Sequence, residues 1–296
     1  MAAVDARFGA LLRARPPVRR RLTNAFATAC MVLATAATFV FLAFILYYLL
    51  HKGLGAISPS FLTSDIPRNV RATGGGIYPA IVGTLVMTGA AAGLAIPLGV
   101  LGAVYLNEFG KQRPLARFIR FMADVMTGVP SIVMGLFIYT VWVVRFHEQT
   151  GLAGALALSC LMLPVVIRST EEMLKLVPAD LRQASQALGA RTWWTTVTVV
   201  LPAAMSGIVS GAMLAVARAA GETAPLIFTA GIVFEANYKL SGPNTALSAL
   251  IFRNASQPFA GAQDRAWGAA LTLVAITFAF TLLARLVSRR FSTNPR

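Results

Sequence analysis

Residues 178–202 read PADLRQASQALGARTWWTTVTVVLP, a polar and basic segment set between two long apolar blocks. Its flanks decide the class of the molecule. Of the 296 residues, 57% are hydrophobic and only 12% charged, and the mean hydropathy is +0.69, which leaves too little polar material to clothe a soluble globule of this size. Windows of about twenty residues with almost no charge can cross a hydrocarbon layer of about 30 Å as helices rising about 1.5 Å per residue. The chain therefore reads as an all-α integral membrane protein with six transmembrane helices, at about 26–50, 78–106, 119–144, 152–167, 203–233 and 266–287.

The formal charge of +15 is better explained by orientation than by nucleic acid, because Lys and Arg in a membrane protein collect on the cytoplasmic side. Six crossings put both termini on one side. That side, with the 107–120 loop and the 168–200 segment, holds 18 of the 26 Lys and Arg, against 7 on the other side and Arg218 inside a span. The asymmetry places both termini and the 178–202 stretch in the cytoplasm. The expected organisation is a basic cytoplasmic tail (1–25), a first transmembrane helix (26–50), a periplasmic loop (51–77), a five-helix core (78–288) containing a cytoplasmic loop at 170–202, and a short cytoplasmic tail (289–296). The first apolar run is too long for a cleaved signal and is read as a retained span. Cys30 and Cys160 each lie inside an apolar block, so neither a disulfide framework nor a thiolate metal site is expected.

Within the opening stretch, Pro178 can only begin a helix, Asp180 lies in the first turn where the helix dipole favours negative charge, and Gly189 suits the C-terminal cap. Leu181, Ala184, Ala187 and Leu188 recur at helical spacing, among Arg182, Gln183, Ser185 and Gln186. On pattern alone the short helix suits either a groove on a partner or the lipid surface.

Gln183-Ala184-Ser185, Gly189, Val199 and Leu201-Pro202 match in spacing the cytoplasmic EAA loop of ABC importer permeases, with Gln183 in place of Glu, Ser185 in place of the second Ala, and Val199 in place of Ile. Ala184 to Ala190, the Val200-Leu201-Pro202-Ala203-Ala204 junction, Gly74 to Leu85, Gly128 to Gly135 and Arg218 to Leu226 resemble phosphate-specific importer permeases, in a form closer to PstA-type than to PstC-type subunits. The resemblance implies the type I importer permease fold in a bacterial inner membrane. It implies inorganic phosphate as substrate, and coupling through Asp180, Leu181, Gln183, Ala184, Ser185, Ala187, Leu188 and Gly189 to a separate ATP-binding cassette ATPase dimer. The other implied partners are a PstC-like second permease subunit and an extracytoplasmic phosphate-binding protein. No G-x-x-x-x-G-K-[ST] segment occurs, so ATP and magnesium are expected on the partner chain, with no cofactor or metal on this one.

Arg218 and Glu222 are four apart in a stretch otherwise free of charge from 203 to 233, and charge at membrane depth costs at least about 2.5–3.5 kcal/mol, so it normally faces a partner or an aqueous path. A guanidinium offers five fixed donors that suit an oxyanion. Gly221, Pro225 and Pro130 mark expected helix breaks, and the hydroxyls of Thr127, Ser131 and Thr223 are further candidates for the substrate path. The competing reading is a structural ion pair locking spans together. Gly207 and Gly211 form a G-x-x-x-G close-packing face on the fifth span. Asp124 is expected to pair at the interface with Arg120, four residues earlier. Other functions left open are a permease for sulfate, molybdate or phosphonate, and an ATP-independent channel or secondary transporter.

Overall fold

The computed structural model describes residues 18–110 and 112–291; Arg7, Arg13, Arg15, Lys111 and Arg296 of the charge count, with most of both tails, lie outside the described residues. Among those described, every regular element is helical. The chain divides at residues 51 and 52 into two units. The first is made of one helix, α1 (Val18–Ala56, 39 residues), which runs on into the start of the second. It starts eight residues before the expected span, because the basic residues Arg19–Arg21 continue the helical turn instead of forming a separate tail. Thr23, Thr35 and Thr38 return their hydroxyls to carbonyls one turn back, at 2.8–2.9 Å, so these three hydroxyls need no outside partner.

The second unit holds α2 (Pro59–Thr63), α3 (Tyr78–Gly110), α4 (Pro114–Gly128), α5 (Ser131–Phe146), α6 (Gly151–Leu176), α7 (Ala179–Ala187), α8 (Thr192–Ala220), α9 (Ala224–Thr229), α10 (Leu247–Ala255) and α11 (Ala260–Phe291). Among the described residues, five helices are long and apolar enough to cross a membrane: α1, α3, α6, α8 and α11. The sixth expected span, 119–144, is not one straight helix but the pair α4 and α5, bent by 107° at Gly128–Pro130. Pro130 has no N–H and pushes Val129 to an extended conformation (φ −73°, ψ 128°), which ends α4.

The remaining span limits also move. The α6 helix continues nine residues beyond Ile167, because Arg168, Glu171 and Lys175 are helix formers whose charges fall on one face. The α8 helix begins at Thr192, not at Pro202. Proline is carried inside because residues 196–200 form a wide π turn, with the Leu201 N–H bonding the Thr196 carbonyl, and the prolyl nitrogen follows that turn. At its far end α8 stops at Ala220 instead of reaching 233, and α9 follows after a three-residue break.

The core lies where α3, α6, α8 and α9 meet: Met87, Ala91 and Ala95 pack against Leu158, Met162 and Val166, and against Ala215, Ala219 and Leu226. Small residues let the backbones approach. A side chain at Gly207 would run into Met173, and one at Gly211 would stand 2.6 Å from Ser169 Oγ, so the partner of the G-x-x-x-G face is α6. The short α10 packs on α11 near α2 and residue 77, with Leu247 and Leu250 fully covered.

Candidate functional site

The polar stretch of the opening forms α7 as expected: Pro178 is the N-cap, and no residue of the helix is buried. Gly189 closes it in the left-handed region (φ 86°), where the Ala190 N–H returns to the Ser185 carbonyl at 3.2 Å. Asp180, Leu181, Gln183, Ala184, Ala187 and Leu188 are all exposed, Leu188 at 90%. What holds α7 is a residue to which the sequence assigned no contact. Arg182 donates to Glu108 Oε1 at 2.8 Å and to the carbonyls of Val177 (2.7 Å) and Leu174 (2.9 Å), tying the helix to the ends of α3 and α6. Glu108 is 6% exposed. Ser185 and Thr195 share a hydroxyl bond of 2.9 Å, tying the same helix to α8. A helix anchored to three spans and bare on its outer face can pass a push from a partner into those spans.

Beyond α7, the end of α6 is gathered around Glu171, 1% exposed. Arg120 Nε and Lys175 Nζ each lie 2.9 Å from its Oε1, and Arg168 lies 3.8 Å from Oε2. Asp124 therefore does not pair with Arg120. It pairs with Arg168 across α4 and α6, because Arg120 is drawn to the buried carboxylate and to the Leu106 carbonyl (2.7 Å). Glu171 was legible only as one acid among several in a basic loop; its burial depends on three helices meeting.

The remaining candidates converge at the bend. A cavity of about 330 Å³ is lined by Thr127, Gly128, Pro130 and Ser131 from the α4–α5 corner, by Pro164 and Val165 from α6, and by Arg218 and Glu222. Residues 127–131 and 218–222, remote in sequence, thus share one wall. Arg218 occupies the last turn of α8 with its side chain 73% exposed, and Glu222 is 20% exposed. They are not on one unbroken helical face, since the helix ends between them, and they meet only loosely, with Arg218 Nε 3.7 Å from Glu222 Oε1. The Ser248 hydroxyl donates to the Glu222 carbonyl at 2.8 Å and fixes the break to α10.

Pro225 does not remove a bond from a continuing helix; it occupies the first turn of α9, where its fixed φ suits a helix start. A side chain on Gly135 of α5 would stand 2.5 Å from the Pro225 Cα, so the two broken elements touch through a glycine. Thr127 lines the cavity but gives its hydroxyl to the Asp124 carbonyl at 2.7 Å. Ser131 also lines it, whereas Thr223 caps α9 outside the lining. On the far side of the unit Arg265, 3% exposed, holds the carbonyls of Val70, Ala72 and Gly74 at 2.6–2.9 Å, pinning the glycine loop that precedes α3.

Comparison with known proteins decides the family. The model of the binding-protein-dependent transport system inner membrane component matches residues 95–293. The chain belongs to this family. Among its relatives, the phosphate transport system permease protein PstA 1 of Mycobacterium tuberculosis (strain CDC 1551 / Oshkosh) is 42% identical over 91% of this chain and 90% of its own length. PstA of Yersinia pestis is 37% identical over 97% and 98%. The fold agrees with solved importers. An inward-facing methionine ABC transporter, MetNI, superimposes with a TM-score of 0.57 at 19% identity, over 73% of this chain and 94% of the other. A bacterial ABC transporter involved in import of the acidic polysaccharide alginate gives 0.61 at 14%, over 93% and 99%.

Proposed function

We propose that this inner-membrane component is the PstA-type permease subunit of an ATP-driven importer of inorganic phosphate. The observation that carries the reading is the convergence of Arg218, Glu222 and the α4–α5 corner on one cavity, in a chain whose relatives are phosphate permeases over nearly their whole length. Arg218 supplies planar donors to the phosphate oxygens, and Glu222, close but loosely paired, restrains the guanidinium between passages. A pair that is tight in the absence of substrate would have to be broken before an anion could be held.

Both termini and α7 face the cytoplasm. The exposed face of α7 docks in an ATP-binding cassette ATPase, on which ATP and magnesium reside; this chain binds neither and moves its substrate unchanged. A second, PstC-like permease subunit completes the pathway, and an extracytoplasmic binding protein delivers phosphate to the outer face. ATP binding moves α7 as a lever on α3, α6 and α8, through the Arg182 and Ser185 ties. The test is labelled phosphate uptake by the assembled importer in vesicles, with Arg218→Gln and Arg218→Lys at matched abundance. Both variants are expected to lose uptake, and normal uptake in both would overturn Arg218 as a substrate contact. Excess sulfate is expected to leave wild-type uptake unchanged.

A further inference from the structure

Two helices reach the cavity from the α7 side of the unit, and each carries a charge one turn short of it. On α4, Asp124 lies three residues before Thr127; on α6, Arg168 lies three residues after Val165; Thr127 and Val165 both line the cavity. Three residues are about 4.5 Å of helix, or one turn on the same face. The two side chains meet in an ion pair that spans α4 and α6. We infer that Asp124 and Arg168 form a latch across the α7-side exit of the Arg218 cavity, and that Arg168 is a second contact for the departing oxyanion. The inference rests on the reading of that cavity as the phosphate path.

The surroundings of the pair suit such a part. Asp124 is 53% exposed and Arg168 35%, so water weakens their attraction and the bridge can be broken and remade in each cycle. Arg168 has a second, looser partner on its own helix: Glu171, 1% exposed, lies 3.8 Å from it. When α4 swings away, Asp124 leaves, while Arg168 stays beside Glu171 on α6 with donors free for an oxyanion. While the latch is closed, the Asp124 carboxylate repels an anion at the exit. The Thr127 hydroxyl, bonded to the Asp124 carbonyl, couples the cavity wall to the latch.

The test uses the complete importer in vesicles preloaded with labelled phosphate. Asp124→Asn should raise passive efflux, and ATP hydrolysis without binding protein, by at least about fivefold. Reversing the pair, with Asp124→Arg and Arg168→Asp together, should restore tightness. In a background with Cys30→Ser and Cys160→Ala, the double variant Asp124→Cys and Arg168→Cys should leak phosphate, a short bis(methanethiosulfonate) reagent bridging the two thiols through disulfides should suppress that efflux, and reductant should bring it back. Wild-type efflux and hydrolysis in Asp124→Asn, or undiminished efflux after bridging, would overturn the latch. If Arg218→Gln abolishes uptake in the same vesicles, the latch has failed alone; if Arg218→Gln transports normally, the path reading has failed and takes the latch with it.

Discussion

Two ion pairs in this permease are built in opposite ways. Around Glu171 the carboxylate is buried and three cations converge on it, two of them at 2.9 Å. At the cavity the guanidinium is 73% exposed and stands 3.7 Å from its acid. The first arrangement holds three helices in register on the α7 side. The second leaves donors unspent at the place where the helices are broken. One was an acid in a basic loop and the other a charge in an apolar stretch, and only their partners distinguish a fastening from a contact that substrate can use.

Substitutions can break that contrast. The largest effect on folding is expected from Glu171→Ala, which leaves Arg120, Arg168 and Lys175 facing one another. Removing one partner of a fully buried pair costs about 3–5 kcal/mol, and because these cations are partly exposed a loss of about 2 kcal/mol is expected, read as lower membrane abundance and a lower unfolding temperature. Gly211→Leu should follow, at about 1–2 kcal/mol, since the new side chain must displace Ser169 of α6. The same thermal measurement checks it, and an unchanged melting point would show that α6 and α8 are not held at this distance.

Arg182→Ala tests whether the anchoring of α7 resembles the Glu171 cluster. It removes charge-assisted bonds to Glu108 and two carbonyls, worth about 1.5–3 kcal/mol locally. Amide exchange in 179–188 should quicken, and phosphate-stimulated ATP hydrolysis should fall, with little change in global unfolding. The smallest stability effect belongs to Arg218→Ala, below about 0.5 kcal/mol because an exposed pair contributes little, yet phosphate uptake should be lost. If Arg218→Ala instead unfolds the protein as Glu171→Ala does, the two regions are alike and the cavity pair is structural.

Much of this was legible in the sequence because it depends on local rules. The α7 helix needed only a proline at its start and a glycine able to turn at φ 86°. The paired glycines 207 and 211 announced a close helix without naming it. Where the reading missed, a contact distant in sequence had decided the matter. Asp124 was assigned to Arg120 on helical spacing, but Glu171, fifty-one residues from Arg120, captured that arginine. Thr223 stands next to Glu222 in sequence and outside the cavity in space, because the chain turns at the break to begin α9.

The span limits show the same division. Hydropathy found where lipid-compatible segments lie, since burial in hydrocarbon depends on composition over about twenty residues. It was silent on where helices stop, because a helix continues through polar residues whenever its backbone bonds are satisfied. So α6 ran on through Arg168 and Glu171, and α8 began ten residues before Pro202.

By itself the sequence determined the class of molecule, an all-helical membrane component with a polar, glycine-capped helix between its fourth and fifth spans. Composition and local backbone preference suffice for that, because each acts within a turn or two of the chain. Only the tertiary structure decided which charges are fastened and which are available. An ion pair is defined by the separation and exposure of its groups, and those are set by how α4, α6 and α8 pack, not by where Arg218, Glu222 and Glu171 fall along the chain.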